Sequence, residues 1–314
     1  MKSAELFNTN KSVLQELNNP LFTKHCTRIF VKRDDLIDAR VSGNKWRKLR
    51  YNLLQMEALG KSGVLTFGGA YSNHLIAVAS AASKLGVKSV GIVRGDELTA
   101  ESNDNLKNCQ ELGMELLFIS RSEYGNRNDP EYLSTLKAAY HDLYLVPEGG
   151  ANFYGMIGCQ EIVKEINIAF DAIFVSQGTA TTSCGIASVL DRAQLYVVPA
   201  LKGFKSINEM TKVYEYAAFT SEYIDELKSR ITVLSNYHFG GYGKYTIDLL
   251  EFIRSIYQST GLRLDPIYTG KAFFALYDQI KNGIFDDRTV VFVHTGGLAG
   301  IKGIEEKSGF KIFN

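Results

Sequence analysis

Val64-Leu65-Thr66-Phe67-Gly68-Gly69-Ala70-Tyr71-Ser72-Asn73-His74 reads as a strand, a glycine turn and the first residues of a helix. The apolar run of four is too short for a helix, and the glycine pair breaks it. Ser72 stands at an N-cap position. Small residues follow at Ala77, Ala79, Ala81 and Ala82 until Gly86 supplies a stop. The same unit then recurs. A strand over 89–93 precedes a helix over 104–112. A strand over 116–119 precedes a helix over 131–140, and a strand over 143–146 ends the series. Such β-α-β-α alternation with short connections is the pattern of a parallel sheet covered by helices, so the fold class is α/β.

Upstream, Ser42-Gly43-Asn44-Lys45-Trp46-Arg47-Lys48-Leu49-Arg50 opens a helix. Trp46, Leu49, Leu53 and Met56 form one apolar stripe at helical spacing. Lys45 and Lys48, three apart, project from neighbouring positions. Before them, residues 1–28 are an irregular lead-in with one candidate helix over 11–17. Downstream, Glu148-Gly149-Gly150-Ala151-Asn152 breaks the rhythm and is the candidate domain crossing. A helix is expected over 155–168 and a strand over 172–176. Gln177-Gly178-Thr179-Ala180-Thr181-Thr182 then leads into another helix. Further strands are expected over 195–198, 231–234 and 290–293, and helices over 222–228 and 246–257. A helix is also expected after Pro266-Ile267-Tyr268-Thr269-Gly270. The segment 200–223 and the tail after Gly303 give no usable pattern.

The chain has 314 residues, 45% hydrophobic and 22% charged, with a net charge of +1. That length suits two domains or one large α/β domain. The charge gives no reason to expect nucleic acid or an anionic membrane surface. Cys26, Cys109, Cys159 and Cys184 show no Cys-x-x-Cys spacing. They read as reduced thiols of a cytoplasmic protein, and no metal site is expected. Residues 1–19 lack the apolar core of a signal peptide, and no apolar run reaches membrane-span length.

Ligands of open α/β sheets bind at the carboxyl ends of strands. Four loops here leave such ends with polar residues: Gly68 to His74, Gln177 to Thr182, Gly240 to Gly243 and His294 to Gly297. Gly178 to Thr182 is the best anion site, since a loop between strand and helix gathers free amides and three hydroxyls. No Gly-x-Gly-x-x-Gly occurs, which disfavours a dinucleotide. Lys45 is either a solvated lysine or a reactive amine, with Arg47, Lys48 and Arg50 crowding the segment. Ser72 is a plain N-cap or a polar site residue. His74 and His294 have no spaced partners for metal binding. Cys184 at a helix start is more simply packing than an activated thiol.

Five motifs occur together in one order. They are Asn44-Lys45-x-Arg47-Lys48-Leu49, Ser72-Asn73-His74, Gly178-Thr179-Ala180-Thr181-Thr182, Pro266-Ile267-Tyr268-Thr269-Gly270-Lys271 and His294-Thr295-Gly296-Gly297. In this order they resemble the 1-aminocyclopropane-1-carboxylate deaminase and D-cysteine desulfhydrase family, over most of the chain. The resemblance implies two open, mostly parallel twisted sheets flanked by helices. This is the fold type II of pyridoxal-phosphate enzymes, like the tryptophan synthase β-subunit. It implies a large cofactor-binding domain of residues 1–45 and 152–314, and a small α/β domain of 46–151.

The resemblance also implies roles. Lys45 would carry pyridoxal phosphate on its amine. Asn73 would bond the ring oxygen. Gly178, Thr179, Ala180, Thr181 and Thr182, with Lys48, would hold the phosphate. Ser72 would touch the substrate carboxylate or move a proton. Tyr242 and Tyr268 would line the substrate side, and Thr269 would face the pyridine nitrogen. Family members that open a cyclopropane carry glutamate at the position of Thr269. A neutral hydroxyl there stabilises a protonated ring less well. The expected reaction is therefore α,β-elimination from a D-amino acid such as D-cysteine. Cyclopropane deamination is the alternative, and a binder without catalysis the remaining one. The partner is a small amino acid, and a homodimer is expected. Two departures stand out: Tyr71 where glutamine is usual, and Ala180 where glycine is common.

Overall fold

A computed structural model describes residues 8–38, 40–41 and 43–313, with only the backbone of Ala299. Ser42 and residues 1–7, which the expectations above include, lie outside the described residues. The first half of the chain carries β1 (Leu14–Leu17), α1 (Pro20–Lys24), β2 (Arg28–Lys32), α2 (Asn44–Ala58), β3 (Gly63–Gly69), α3 (Asn73–Leu85), β4 (Lys88–Arg94), α4 (Asp104–Glu111), β5 (Met114–Ile119), α5 (Arg121–Gly125), α6 (Pro130–Ala139) and β6 (Leu143–Val146). The second half carries α7 (Phe153–Lys164), β7 (Ala172–Gln177), α8 (Thr181–Ala187), β8 (Gln194–Pro199), α9 (Ser206–Tyr216), α10 (Ser221–Ser229), β9 (Ile231–Val233), α11 (Ile247–Thr260), α12 (Thr269–Lys281), β10 (Thr289–Val293) and α13 (Ile301–Ser308). They form two compact units. The smaller is built on Lys45–Gly158, and the larger on Thr9–Ile37, Gly43, Asn44 and Cys159 onward.

The smaller unit holds a four-stranded sheet in the order β5-β4-β3-β6, parallel throughout. β3 is flanked on both edges, with Leu65 opposite Val90 and Leu145. Consecutive residues of β3 are buried, so both of its faces are covered, which explains a continuous apolar run in place of alternation. Val64, Leu65 and Phe67 are all buried. The stripe of α2 behaves as its spacing predicts: Trp46, Leu49, Leu53 and Met56 are buried. α3 ends where expected, on Gly86 in the left-handed region at φ 68°.

The larger unit holds a six-stranded sheet in the order β1-β2-β10-β7-β8-β9. All its pairs are parallel except β1 with β2. α11 buries Leu249, Leu250, Ile253 and Ile256, and α12 buries Phe273, Ala275, Leu276 and Ile280, in one cluster with Phe174 and Phe292. Each large side chain so buried contributes about 1.5–3 kcal/mol. Two mostly parallel sheets flanked by helices are the architecture expected.

One expectation fails. The candidate helix over 11–17 is instead the edge strand β1, with Leu17 opposite Ile29 and Leu14 opposite Lys32. A stretch stopped by Asn18, Asn19 and Pro20 is too short to nucleate a helix alone. Pairing with β2 satisfies its backbone and buries Leu17. In the unreadable segment lies α9. Its N-cap, Lys205, makes no side-chain cap bond, and Ala217 in place of glycine follows its last turn, so neither end carries a signal.

Candidate active site

Lys45 sits half-buried in the first turn of α2, and Lys48 is buried one turn on. The start of α2 is held by a close backbone approach within the smaller unit. A Cβ on Gly158 of α7 would lie 1.9 Å from the Arg47 carbonyl oxygen. Only glycine leaves that room.

The turn after β3 presents Ser72 and Asn73, both half-buried. Ser72 caps α3: its Oγ accepts from the amides of His74 at 3.2 Å and Leu75 at 3.4 Å. The N-cap reading is therefore correct as far as it goes, and the hydroxyl proton remains for another acceptor. Asn105 steadies the turn by donating to the carbonyls of Ala70 and Ser72. His74 is a core histidine. Thr66 Oγ1 donates to the Val146 carbonyl at 2.8 Å, so it accepts Nε2–H of His74 at 2.9 Å. Burial first, then the charges of Lys45 and Lys48, hold this imidazole well below its ordinary 6.5, with the Pro147 carbonyl acting the other way. It is neutral beside two lysines and adds no third charge.

In the larger unit, β7 runs into Gln177 and the loop Gly178 to Thr182. A Cβ on Gly178 would meet the Tyr268 ring at 2.8 Å, so the loop lies directly on that ring. Ala180 has φ −72°, which explains why alanine is tolerated where glycine is common. Asn44 donates to Thr182 Oγ1 at 2.9 Å. Gln177 donates to Ser183, and Ser183 to the Ala180 carbonyl. The hydroxyl of Thr181 is buried and makes no hydrogen bond.

Tyr268 stands at the N-cap of α12 and Thr269 is its first residue. The cap itself is Asp265, which the sequence reading passed over. Its Oδ1 accepts from the amides of Ile267 at 2.9 Å and Tyr268 at 2.7 Å. Its Oδ2 accepts from the Thr269 amide at 2.9 Å and hydroxyl at 2.6 Å. The signal was present, because aspartate before proline four residues ahead of a helix's first residue is a turn-and-capping pattern. Thr269 is fully buried, and its oxygen also accepts from the Asp265 amide at 2.9 Å. Tyr242 is exposed, and its ring meets that of Tyr268 edge-on, centroids 6.1 Å apart.

The remaining candidates are structural. His294 donates through Nε2 to the Arg263 carbonyl at 2.6 Å and accepts at Nδ1 from the Gly296 amide at 3.2 Å. Cys184 is buried, its thiol on the Met210 carbonyl at 3.6 Å. Burial pushes the Cys109 thiol up to about 12, the opposite of activation.

The loop after β7 fits a phosphate. Its side chains are hydroxyls with no carboxylate in the first turn of α8, and α8 has no side-chain cap. A buried hydroxyl without a partner costs about 1–3 kcal/mol, and an anion accepting from Thr181 would remove that cost. Residues 12–296 match the family model described as pyridoxal-phosphate dependent enzyme. The chain belongs to that family.

The names of similar sequences fall to 1-aminocyclopropane-1-carboxylate deaminase and D-cysteine desulfhydrase. A Pyrococcus furiosus protein provisionally named 1-aminocyclopropane-1-carboxylate deaminase is 33% identical, the match covering 87% of this chain and 85% of the relative. A Serratia proteamaculans D-cysteine desulfhydrase is 32% identical over 87% of each chain. Among solved structures, a 1-aminocyclopropane-1-carboxylate deaminase homologue superposes with a TM-score of 0.78 at 28% identity, covering 96% of this chain and 94% of that one. The chain is an enzyme of this family, with pyridoxal phosphate as its cofactor.

Proposed function

We propose that this chain catalyses α,β-elimination from a D-amino acid, with D-cysteine the first candidate, giving pyruvate, ammonia and sulfide. Thr269 carries the reading. A glutamate at this position, as in the cyclopropane-opening members, would favour a protonated pyridine ring and a stronger electron sink. A threonine hydroxyl has no charge to offer, and this one is engaged with Asp265.

Pyridoxal phosphate, when bound, supplies an electron sink for the carbon beside the substrate amine. The residues of the chain do the rest. Lys45 would hold the cofactor through its amine and, once the substrate's own amine has displaced it, would take the proton from the α-carbon with the freed amine, a general-base contribution of about 10²–10⁴-fold. The C–S bond breaks with its electron pair on sulfur. The released 2-aminoacrylate takes up water to give pyruvate and ammonia. Lys48 and residues Gly178 to Thr182 would hold the phosphate, and Asn73 would bond the ring oxygen. Ser72 donates its remaining proton to the substrate carboxylate or relays one. Tyr242 and Tyr268 would line the substrate side, and Thr269 would face the pyridine nitrogen. The proposed cofactor-binding domain is residues 1–45 and 152–314 and the proposed small domain 46–151, although residues 152–158 pack with the smaller compact unit. A cytoplasmic homodimer completes the reading.

The test is to mix cofactor-loaded protein with D-cysteine and measure sulfide and pyruvate together. Matched release, absent with L-cysteine and lost in Lys45→Ala, is expected. Full activity in Lys45→Ala would remove Lys45 from the mechanism. One observation favours cyclopropane deamination as a second reading: the Asp265 carboxylate stands one hydrogen bond behind Thr269. That reaction gives 2-oxobutanoate, so product identity separates the two.

A further inference from the structure

We propose that Lys271 is the positioning residue for Tyr242, holding its peptide by a clasp of backbone carbonyls. The inference rests on the reading above only in giving Tyr242 a place beside the substrate; the clasp itself rests on geometry within the larger unit.

Tyr242 lies in a loop with little stiffness of its own. Gly240, Gly241 and Gly243 take φ 91°, 112° and 70°, and Phe239 takes 48°. Flexible residues in such conformations need contacts from outside to select one arrangement. The loop's own bonds are few. The Gly241 amide donates to the His238 carbonyl at 3.0 Å, the Lys244 amide to the Gly241 carbonyl at 3.2 Å, and the Gly240 amide to His238 Nδ1 at 3.0 Å.

The outside contact is the side chain of Lys271. It is buried in α12. Its Nζ donates to the carbonyls of His238 at 2.8 Å and Gly241 at 2.8 Å, and to that of Ala200 at 3.4 Å. The first two bracket the loop, and the Gly241 carbonyl belongs to the peptide whose nitrogen is Tyr242's. The third anchors the amine to the residue after β8. Burying an ammonium is costly unless its donors are used. Burial draws Lys271 down to about 8 against the opposing charge of Asp265. An amine kept inside at that cost, with backbone carbonyls as its partners, is there for the shape they impose.

The helix start that carries Lys271 also carries Tyr268, one turn earlier, and the ring of Tyr242 packs edge-on against it. The ring and the peptide of Tyr242 are thus referred to the same turn of α12. Asp265 fixes that turn by capping it.

The experiment is hydrogen exchange on the holoenzyme, with turnover of D-cysteine measured beside it. Lys271→Met keeps the length and apolar stem and removes the donors. Amides 239–244 should exchange about tenfold faster or more, the scale of a lost charged hydrogen bond, while those of β7 and α11 stay unchanged. Turnover should fall, and Lys271→Met added to Tyr242→Phe should cost little beyond Tyr242→Phe alone. Lys271→Arg, which keeps N–H donors, should recover part of the protection. Unchanged exchange in Lys271→Met, or costs that add in the double variant, would overturn the proposal. If Lys271→Met does not fold, the wild-type holoenzyme decides: amides 239–244 exchanging at unprotected rates would also overturn it. Faster exchange with unaltered turnover overturns the positioning role and leaves the lyase reading standing, since that depends on Lys45.

Discussion

At the scale of single residues, His74 and Thr181 make opposite demands on stability. His74 is buried and neutral, its pKa depressed below 6.5 by burial and by Lys45 and Lys48. The unfolded chain therefore binds the proton that the folded chain refuses. A group of this sign contributes fully above 6.5, and its contribution is lost as the pH falls below that value. The slope is at most about 1.4 kcal/mol per pH unit. Urea titrations of the wild type from pH 7 to pH 5 should show this loss, and His74→Gln should flatten it; equal slopes would mean that His74 titrates normally. Thr181 is the converse case, a buried hydroxyl without a partner. Thr181→Val should stabilise the cofactor-free protein by about 1–3 kcal/mol while weakening cofactor binding about tenfold. Thermal melts without cofactor and a spectroscopic cofactor titration measure the two halves. A variant less stable without cofactor would mean that the hydroxyl has a partner in solution.

At the scale of elements, two helical glycines with the same propensity cost should respond in opposite ways. Alanine is preferred over glycine inside a helix by about 1 kcal/mol. Gly303 in α13 has no neighbour within 4 Å of an added Cβ, so Gly303→Ala should stabilise by about 0.5–1 kcal/mol. In α7, the Cβ of Gly158→Ala would stand 1.9 Å from the Arg47 carbonyl oxygen. Backbone must shift there, at about 1–3 kcal/mol, and the clash outweighs the propensity gain. Because Arg47 lies between Lys45 and Lys48, the variant should also load less cofactor. Urea midpoints of the pair, with cofactor content by absorbance, test this; a Gly158→Ala midpoint at or above wild type would refute it.

The same elements explain what could be read in advance. β3 and α3 were legible because Val64 to Phe67, Ser72 and Gly86 each carry a local signal that agrees with the packing. β1 was not, because its pairing partner β2 is the cause of its conformation. α9 was not, because neither Lys205 nor Ala217 marks an end. At the site, Ser72 caps α3, one of the two readings its position allows, and Ala180 takes a negative φ that its side chain accepts. For Asp265 the Asp-Pro pair is only a local turn signal; that its carboxylate reaches on to the Thr269 amide and hydroxyl depends on the folded turn.

For the whole molecule, the binding free energy of the cofactor is also folding free energy. A ligand that binds only the folded chain adds about 2.7 kcal/mol at a hundred times its Kd. The proposed contacts divide this gain into two parts that a single variant can separate. Lys45→Ala removes the covalent link, yet leaves Lys48, Asn73 and the donors of Gly178 to Thr182 intact. It should therefore retain a smaller stabilisation by pyridoxal phosphate, one that rises with cofactor concentration and disappears on dialysis. Inorganic phosphate at high concentration should compete with it, because it presents the same oxygens to the same hydroxyls. Thr181→Val should behave in reverse, retaining the covalent link while losing sensitivity to phosphate competition. Melting curves of the three proteins across a cofactor series, with and without phosphate, measure these shifts. If Lys45→Ala gains nothing from cofactor while the wild type does, the phosphate is held elsewhere, and the loop after β7 is only the strand-to-helix turn that its hydrogen bonds also describe.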